Sequence, residues 1–312
     1  MVLGLLLLTS CTKDNYDGCP SQETVNLLIK TDYDLRSASA AAAEWYAINE
    51  VFILIIDQHN NVVTSWEGGA YASGADYRAS FQLEEGTYRF VVWTNLGENY
   101  TISASNGELK NGIFMDEVMI NMTIPPDGMI RDFIPHRHYG SITNAQVIRN
   151  KDNTFVITLI PHTYKVNFTV KGLAPTFHQY DFMVTDNNSS HRLDNSCVLG
   201  KECYHHIRTT DYQPRSRSIN FDPFTNELSD SMILLQLDDD TPTTFTISNT
   251  ITEEVIYTAD LLQTIEQAYQ DADEVLDFSS IYEFDILFTF DTYMYVTVSV
   301  NGWSYIEQNQ KL

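Results

Sequence analysis

Basic residues are scarce in this chain. The 312 residues include 18 Lys and Arg against 42 Asp and Glu, which gives a net charge of −24 at pH 7. The imbalance is steepest in the last third, where the segment 218–312 holds eighteen acidic residues and one lysine, Lys311. Such a surface repels phosphate backbones and anionic headgroups, so nucleic acid is excluded as a partner. Solubility is the simplest explanation of the acidity.

The common catalytic motifs are also missing. The sequence has no nucleophile elbow, no zinc-protease helix motif, no phosphate-binding glycine loop and no dinucleotide fingerprint. We therefore predict that the protein is not an enzyme and needs no cofactor, although a pair of carboxylates for glycoside hydrolysis would leave no local motif. His136 and His138 flank Arg137 in a predicted loop, and we interpret them as structural or solvated histidines. The Asp238–Asp240 run is interpreted as an acidic turn rather than a calcium site.

No apolar run is long enough to cross a membrane, which takes about 20 residues. The short run from Val2 to Leu8 is instead followed by Leu8-Thr9-Ser10-Cys11, the pattern of a lipobox. We predict a lipoprotein signal peptide at residues 1–10, lipidation of Cys11 and a polar tether at residues 11–22. The alternative is an apolar N-terminal strand that happens to end in cysteine, and the basic start of a signal peptide is missing.

Cysteines are few, and after lipidation an odd number remains. Cys19, Cys197 and Cys203 are left. A disulfide between Cys197 and Cys203 would close a small loop in an oxidising compartment, but the sequence does not establish its geometry. The same cysteines with His205 and His206 also allow a metal site. Zinc sites usually have tighter cysteine spacing and a second paired cluster, so we expect no metal.

Periodicity predicts strands along most of the chain, and 43% apolar residues exclude a mainly disordered protein. Tyr164–Val170 alternates apolar with polar residues, as in a half-buried strand, and the apolar residues at 294, 296, 298 and 300 repeat this pattern. Val51–Ile56 and Phe90–Trp93 are continuous apolar runs, typical of central strands that are covered on both faces. The sequence therefore predicts an all-β fold.

The chain is long enough for two domains. We place the boundary near Pro161, between two predicted strands, which gives an N-terminal β-sandwich at residues 23–160 and a C-terminal β-sandwich at residues 161–312. Only two short loop helices are predicted, at Ser39–Ala47 and at Leu261–Tyr269, the second with Asp260 as its N-cap.

Several short motifs, in order over nearly the whole chain, resemble a known family. They are Cys11 followed by Asp17-x-Cys19-Pro20, the run from Val51 to Asp57, the run from Gly86 through Tyr88 and Trp93 to Asn95, and the run from Val298 to Trp303. Together these features are similar to the anchor and minor subunits of type V fimbriae, the fimbrillin-related, lipoprotein-derived pili. The Asp57 turn lacks the glycine that is often found there.

This resemblance implies two transthyretin-like or immunoglobulin-like sandwiches and assembly by strand exchange with fimbrial structural subunits. Such subunits are cut after an arginine by a trypsin-like protease, and Arg36 is the nearest candidate, although an anchor has to escape this cut to keep its lipid. We predict a surface-exposed lipoprotein that tethers a pilus to the outer membrane. Trp93 and Trp303 are expected to fill the two cores. The alternative is a glycan-binding surface lipoprotein that uses some of its 18 tyrosines.

Overall fold

A computed structural model describes residues 21–31, 47–70, 76–104, 107, 109–130, 134–173, 180–198, 200, 202–208, 219–222, 224–237, 242–278 and 281–307. The predictions for Cys11, Cys19, Arg36 and Asp238–Asp240 lie outside these residues, as does the predicted helix Ser39–Ala47 except for its last residue.

In the first part of the chain, up to Pro161, the described residues form ten strands. They are β1 (Gln22–Thr31), β2 (Val51–Asp57), β3 (Val62–Gly68), β4 (Tyr77–Glu84), β5 (Gly86–Thr94), β6 (Tyr100–Ala104), β7 (Val118–Met122), β8 (Met129–Ile130), β9 (His138–Val147) and β10 (Asn153–Pro161). Single 3-10 turns lie at Gly97–Asn99 and Met115–Glu117.

In the second part, the residues that the structure describes form twelve strands and one helix. They are β11 (Tyr164–Lys171), β12 (Tyr180–Asp186), β13 (Ser190–Arg192), β14 (Cys197–Val198), β15 (Cys203–Arg208), β16 (Asn220–Asp222), β17 (Glu227–Leu234), β18 (Thr244–Asn249), β19 (Val255–Asp260), α1 (Leu261–Asp271), β20 (Glu283–Phe290), β21 (Val296–Val300) and β22 (Trp303–Glu307). The all-β prediction is confirmed.

A seven-stranded sheet forms the body of the first part, in the order β3-β2-β5-β9-β10-β1-β4. Its strands share one buried apolar cluster, which means that the sheet curls around its own core. The two edge strands approach each other through Trp66 on β3, whose ring centroid lies 5.9 Å from that of Tyr77 and 6.4 Å from that of Phe81, both on β4. Aromatic side chains thus close the curled sheet where backbone pairing stops.

A four-stranded sheet, β14-β13-β7-β6, covers the outer face of β2 and β5. Phe52 and Leu54 on β2 and Trp93 on β5 pack there against Val118 and Ile120 on β7. Each of the two central strands therefore buries both faces. This explains their continuous apolar runs and confirms the prediction of doubly covered strands.

The second part is a sandwich of two sheets around its own core. The six-stranded sheet has the order β16-β17-β11-β20-β21-β22, and the five-stranded sheet has the order β19-β18-β12-β15-β8. Helix α1 confirms the prediction at Leu261–Tyr269, and the Asp260 side chain accepts a hydrogen bond from the Gln263 amide, as expected of its N-cap.

The two parts contribute strands to each other's sheets. Short β8, from the first part, pairs in parallel with β15, and β13, from the second part, pairs with β7. Only His162 and Thr163 separate β10 from β11. Division of the chain at Pro161 stays a prediction.

Two sequence predictions near the C-terminus are wrong. Met294 lies in the turn before β21, with a positive φ of 63°, and not in the strand. Trp303 does not fill the second core. It begins β22, an edge strand that pairs only with β21 among the described residues, and it is 39% exposed.

Phe245 is the best test of the second core. Its ring stacks on Phe168 at 4.3 Å and on Phe288 at 5.0 Å, and it is fully buried. We expect Phe245→Ala to lower the free energy of unfolding by about 4 kcal/mol because it leaves a cavity between both sheets. Urea titration measures this. The control, Phe224→Ala at a side chain that is 97% exposed, should change stability by less than about 0.5 kcal/mol.

Candidate assembly interface

The first strand lies inside the seven-stranded sheet rather than at its edge. β1 pairs in parallel with β10 from Val25 to Thr31 and antiparallel with β4 from Gln22 to Ile29. Val25, Leu27 and Ile29 point into the core and are buried. Alternate polar residues of β1 face outward. β1 fills the space between β10 and β4, which we call the slot. Without β1, both neighbouring strands would present unpaired backbone groups beside an apolar groove.

Chain direction fixes which end of the fold the N-terminal segment meets. β1 runs parallel to β10, so the start of β1 lies at the end of the first part where β10 begins. β10 then runs to the joint at Pro161, and β11 leaves the joint at Tyr164 and ends at Lys171. The segment before β1 therefore enters the fold at the end of the first part that lies away from the joint.

A buried arginine lies where the two parts meet. Arg137 is fully buried, and its guanidinium carbon lies 5.0 Å from the ring centroid of Trp93 and 4.7 Å from that of Tyr100. Its Nη2 is 3.4 Å from Nδ1 of His191 on β13. Nε and Nη1 have no hydrogen-bond partner in the described part of the chain. The aromatic faces are therefore the main compensation for this buried charge.

The residues around Arg137 connect both parts by hydrogen bonds. The backbone amide of Arg137 donates to the Thr163 hydroxyl at 3.1 Å, and the amide of His162 donates to the Arg137 carbonyl at 2.7 Å. Nδ1 of His136 lies 2.8 Å from the same threonine oxygen. The 136–138 segment of the first part is thus fixed to the two residues that link β10 to β11, which makes the joint a packed and bonded unit.

A second set of bonds holds this segment against β5. The Asn95 side-chain amide donates to the carbonyls of Ala47, at 2.8 Å, and His136, at 2.5 Å. Nδ1 of His138 lies 2.9 Å from the Thr94 hydroxyl oxygen, which also accepts from the His138 amide at 3.0 Å. Both histidines at 136 and 138 are therefore structural and not solvated.

Burial keeps the imidazoles of the joint neutral. Desolvation, with a smaller contribution from Lys165, lowers the pKa of His136 to about 3. Desolvation, with His136 beside it, lowers the pKa of His138 to about 3. The pKa values of His162 and His191 are also well below their usual range, first through desolvation and then through the positive charge of Arg137.

The cysteines predicted to pair begin strands of two different sheets. Cys197 lies opposite His191 in the four-stranded sheet, and Cys203 lies opposite Asp186 in the five-stranded sheet. Their disulfide stays a prediction. Within the described residues, no group of three His, Cys, Asp or Glu side chains is placed to hold a metal ion, and His205 is buried.

Sequence reasoning missed the joint cluster. Its members come from five separate segments, around Trp93, Tyr100, Arg137, His162 and His191. The only local signal was the His-Arg-His sequence next to Pro135, which is also common in exposed loops.

Two substitutions at Arg137 separate the effect of side-chain volume on stability from the effect of side-chain charge. We expect Arg137→Ala to lower the free energy of unfolding by about 3 kcal/mol, because it leaves a cavity between Trp93 and Tyr100. Arg137→Met fills most of that volume and removes the cost of burying a charge, so it should change stability by less than about 1.5 kcal/mol or raise it. Equal losses in both variants, measured by urea titration, would show that the charge itself is required.

Among the described residues, no helix has the length and apolarity that a membrane span needs. A search of curated proteins gave no match. The family model described as fimbrillin-A associated anchor proteins Mfa1 and Mfa2 matches residues 16–309.

Solved structures of similar fold support this family match. The fimbrial anchor protein Mfa2 from Porphyromonas gingivalis is 16% identical, with a TM-score of 0.67 over 93% of this chain and 100% of that chain. A putative adhesin from Bacteroides thetaiotaomicron is 16% identical, with a TM-score of 0.70 over 94% of this chain and 100% of that chain. A structure from the same species, described as putative polysaccharide binding proteins, is 16% identical, with a TM-score of 0.70 over 93% and 99%. The family model covers nearly the whole chain, and the chain therefore belongs to the family of fimbrillin-A associated anchor proteins.

Proposed function

We propose that this protein is a lipid-anchored subunit that tethers a fimbria to the outer membrane. The family supports a fimbrial role at the cell surface, and its named members are structural proteins rather than enzymes. The lipobox supports acylation of Cys11, and ten residues separate Cys11 from Gln22, where β1 begins. Each buried CH₂ of an acyl chain contributes about 0.8 kcal/mol, so two or more chains hold the protein lastingly on a membrane.

The position of β1 carries this proposal. β1 is the first described strand after Cys11, and it is held on both sides by β10 and β4. The lipid is thus coupled to the core of the first part through a strand that cannot leave without opening an apolar groove. A cut at Arg36 would fall after β1 and would separate the lipid from the rest of the chain. An anchor therefore keeps this peptide bond intact, in contrast to subunits that lose their first strand to open the slot for a neighbour.

Strand exchange then needs an unpaired edge elsewhere. β22 pairs with β21 on one side, and its other side carries no strand among the described residues. Backbone groups along such an edge can pair with a strand of a partner, and alternate side chains then supply specificity.

The proposal is tested with the full chain expressed in a bacterium that assembles such fimbriae. Wild-type protein should fractionate with the outer membrane and capture a co-expressed fimbrial structural subunit at micromolar concentration. Cys11→Ser should become soluble yet still capture the subunit, because only the lipid attachment is lost. The proposal fails if mass spectrometry finds an unmodified Cys11 in the mature protein, or if neither form captures the subunit.

Glycan binding is the second candidate. Tyr293 and Tyr295 are 79% and 51% exposed, and exposed tyrosines can stack on sugar rings. One structure of similar fold is described as a putative polysaccharide-binding protein. A glycan array probed with the chain from Cys19 onward tests this. Binding that is lost in a Tyr293→Ala, Tyr295→Ala variant would favour the second candidate.

A further inference from the structure

Three reverse turns expose large apolar side chains at one end of the C-terminal sandwich. Phe224, between β16 and β17, is 97% exposed, Ile251, between β18 and β19, is 66% exposed, and Tyr293, between β20 and β21, is 79% exposed. Val255, Met294 and Tyr295 add to them. We call these six residues the distal turn surface. Half of the twelve exposed large apolar residues in the described part of the chain lie here, so the exposure is concentrated rather than scattered.

Strand directions bring the three turns together. β11 runs away from the joint, β20 is parallel to it, and β17 is antiparallel to it, so the turns after β20 and before β17 lie at the same end. In the other sheet, Tyr257 near the start of β19 lies 5.9 Å, between ring centroids, from Phe290 at the end of β20, so the turn between β18 and β19 lies at this end as well. Strands are spaced about 4.8 Å apart and packed sheets about 10 Å apart, which places the three turns within roughly 20 Å of one another.

Each turn is held in shape by an aspartate or asparagine at its start. The Asp222 carboxylate accepts from the Phe224 amide at 2.8 Å, and the Asn249 side chain accepts from the Ile251 amide at 2.9 Å. The Asp291 carboxylate accepts from the amides of Tyr293, at 2.8 Å, and Tyr295, at 2.9 Å. These Asx turns fix the backbone that carries the apolar groups. A surface presented in one conformation loses little entropy when a partner binds it.

Composition and charge select the kind of partner. Phe, Ile, Val, Met and Tyr together are typical of the centre of a protein interface, whereas the aliphatic members offer little to a sugar. The described residues of the three turns and of the end of β11 carry five carboxylates against one lysine, and that lysine, Lys171, is already paired with Glu227 at 2.6 Å. Such a rim favours an apolar patch that is surrounded by basic side chains.

The unpaired edge of β22 leads to the same surface. β22 runs antiparallel to β21, and its last residue, Glu307, lies opposite Val296, next to Tyr295. The edge offered for strand exchange and the exposed turns are thus continuous. This end of the second part lies away from the joint. The predicted tether enters the first part, at the end of that part that lies away from the joint.

We propose that the distal turn surface is a docking surface for the neighbouring fimbrial subunit, which it meets through an apolar patch with a basic rim. This inference rests on the proposed function and adds a specific contact to it. The turns bind the body of the subunit while backbone pairing at β22 supplies the exchange. The two contacts are separate, so the first can be removed without touching β22.

The test measures binding of the full-length chain to a fimbrial structural subunit purified from the same bacterium. A triple variant, Phe224→Ser, Ile251→Ser and Tyr293→Ser, should weaken binding by at least about tenfold, because a few apolar residues usually dominate an interface. The control is Val275→Ser, at a side chain that is 85% exposed but follows α1 and lies outside the surface. It should bind within about twofold of wild type. Binding of wild type should also weaken as salt is raised.

A photo-crosslinking amino acid at position 224 gives a second readout. It should crosslink to the subunit, whereas the same group at position 275 should not. Equal binding by wild type and the triple variant would overturn the docking surface and leave the fimbrial function standing. Absence of binding by every form, wild type included, would overturn the fimbrial function and this inference with it. Loss of glycan-array binding in the triple variant, with subunit binding unchanged, would show a sugar site instead.

Discussion

Replacing Leu27 with aspartate is expected to unfold the first part of the chain. Leu27 lies in the middle of β1, is 1% exposed and faces the core of the curled sheet. A carboxylate there would lose its water without gaining a partner, and the apolar contacts of the leucine would also be lost. The free energy of unfolding should fall by more than about 4 kcal/mol, a large part of the stability of a typical domain.

The neighbouring leucine provides a matched control. Leu28 has the same side chain in the same strand, but it points to the opposite face and is only partly buried. Leu28→Asp should therefore cost less than about 1 kcal/mol. Urea titration and limited proteolysis of both variants measure the difference. If the two aspartates were equally tolerated, β1 would not occupy the slot between β10 and β4, and the proposed coupling of a lipid at Cys11 to the core would be wrong.

The slot that β1 fills also matters for assembly. A slot that depends on three buried side chains, Val25, Leu27 and Ile29, is one that an alternating apolar strand of another subunit could also fill. In this protein the slot is filled by β1, the first of the described strands. We expect a subunit strand added in excess to leave β1 in place, because an intramolecular strand has a much higher effective concentration than a separate one. On the proposed function, the anchor would be the member of the fimbria whose own slot is closed.

The parts of the fold that depend on local pattern could be predicted from the sequence. Val51–Ile56 is predicted to be a strand covered on both faces, because six consecutive apolar residues leave no polar face. The structure places this strand between two layers. Helix α1 follows from its apolar spacing and from Asp260, since capping is a local interaction. In both cases the decisive information lies within a dozen neighbouring residues.

The parts that depend on distant contacts could not be predicted. Trp303 lies just beyond an apolar strand in the sequence, but its exposure depends on whether another strand follows β22 in the sheet, which the sequence pattern does not encode. β8 has two residues and β13 has three, too few for any periodicity, yet they join the two parts. The charge of Arg137 suggests an exposed position. Only the meeting of Trp93 and Tyr100 around it makes burial possible.

Acid is expected to loosen the joint. The pKa of His136 and that of His138 fall to about 3 in the folded chain, from 6.5, and those of His162 and His191 are lowered as well. Between pH 6.5 and 3 the unfolded chain therefore binds more protons at these sites than the folded chain. Their contribution to stability is complete above pH 6.5 and is lost as the pH falls.

One buried carboxyl opposes this effect. Burial raises the pKa of Asp186 to about 7, even though the amides of Asn188 and Asn187 donate to it. Between pH 3.8 and 7 the folded chain holds this proton and the unfolded chain does not, so the stability that Asp186 contributes is present at low pH and is lost as the pH rises to 7. Each group changes the free energy of unfolding by up to about 1.4 kcal/mol per pH unit. Four imidazoles outweigh one carboxyl, and the net change favours unfolding in acid.

We expect the free energy of unfolding to fall by more than about 3 kcal/mol between pH 7.5 and pH 5, because each buried imidazole gives up to about 1.4 kcal/mol per pH unit. Urea titrations at several pH values measure the slope. His138→Asn keeps a polar atom near the position of Nδ1, which faces the Thr94 hydroxyl. Because it removes one titrating group, it should lower the slope of the unfolding free energy against pH by about one proton. A chain whose stability is flat over this range would show that water reaches the joint and that the two parts are not fixed by a dry polar cluster.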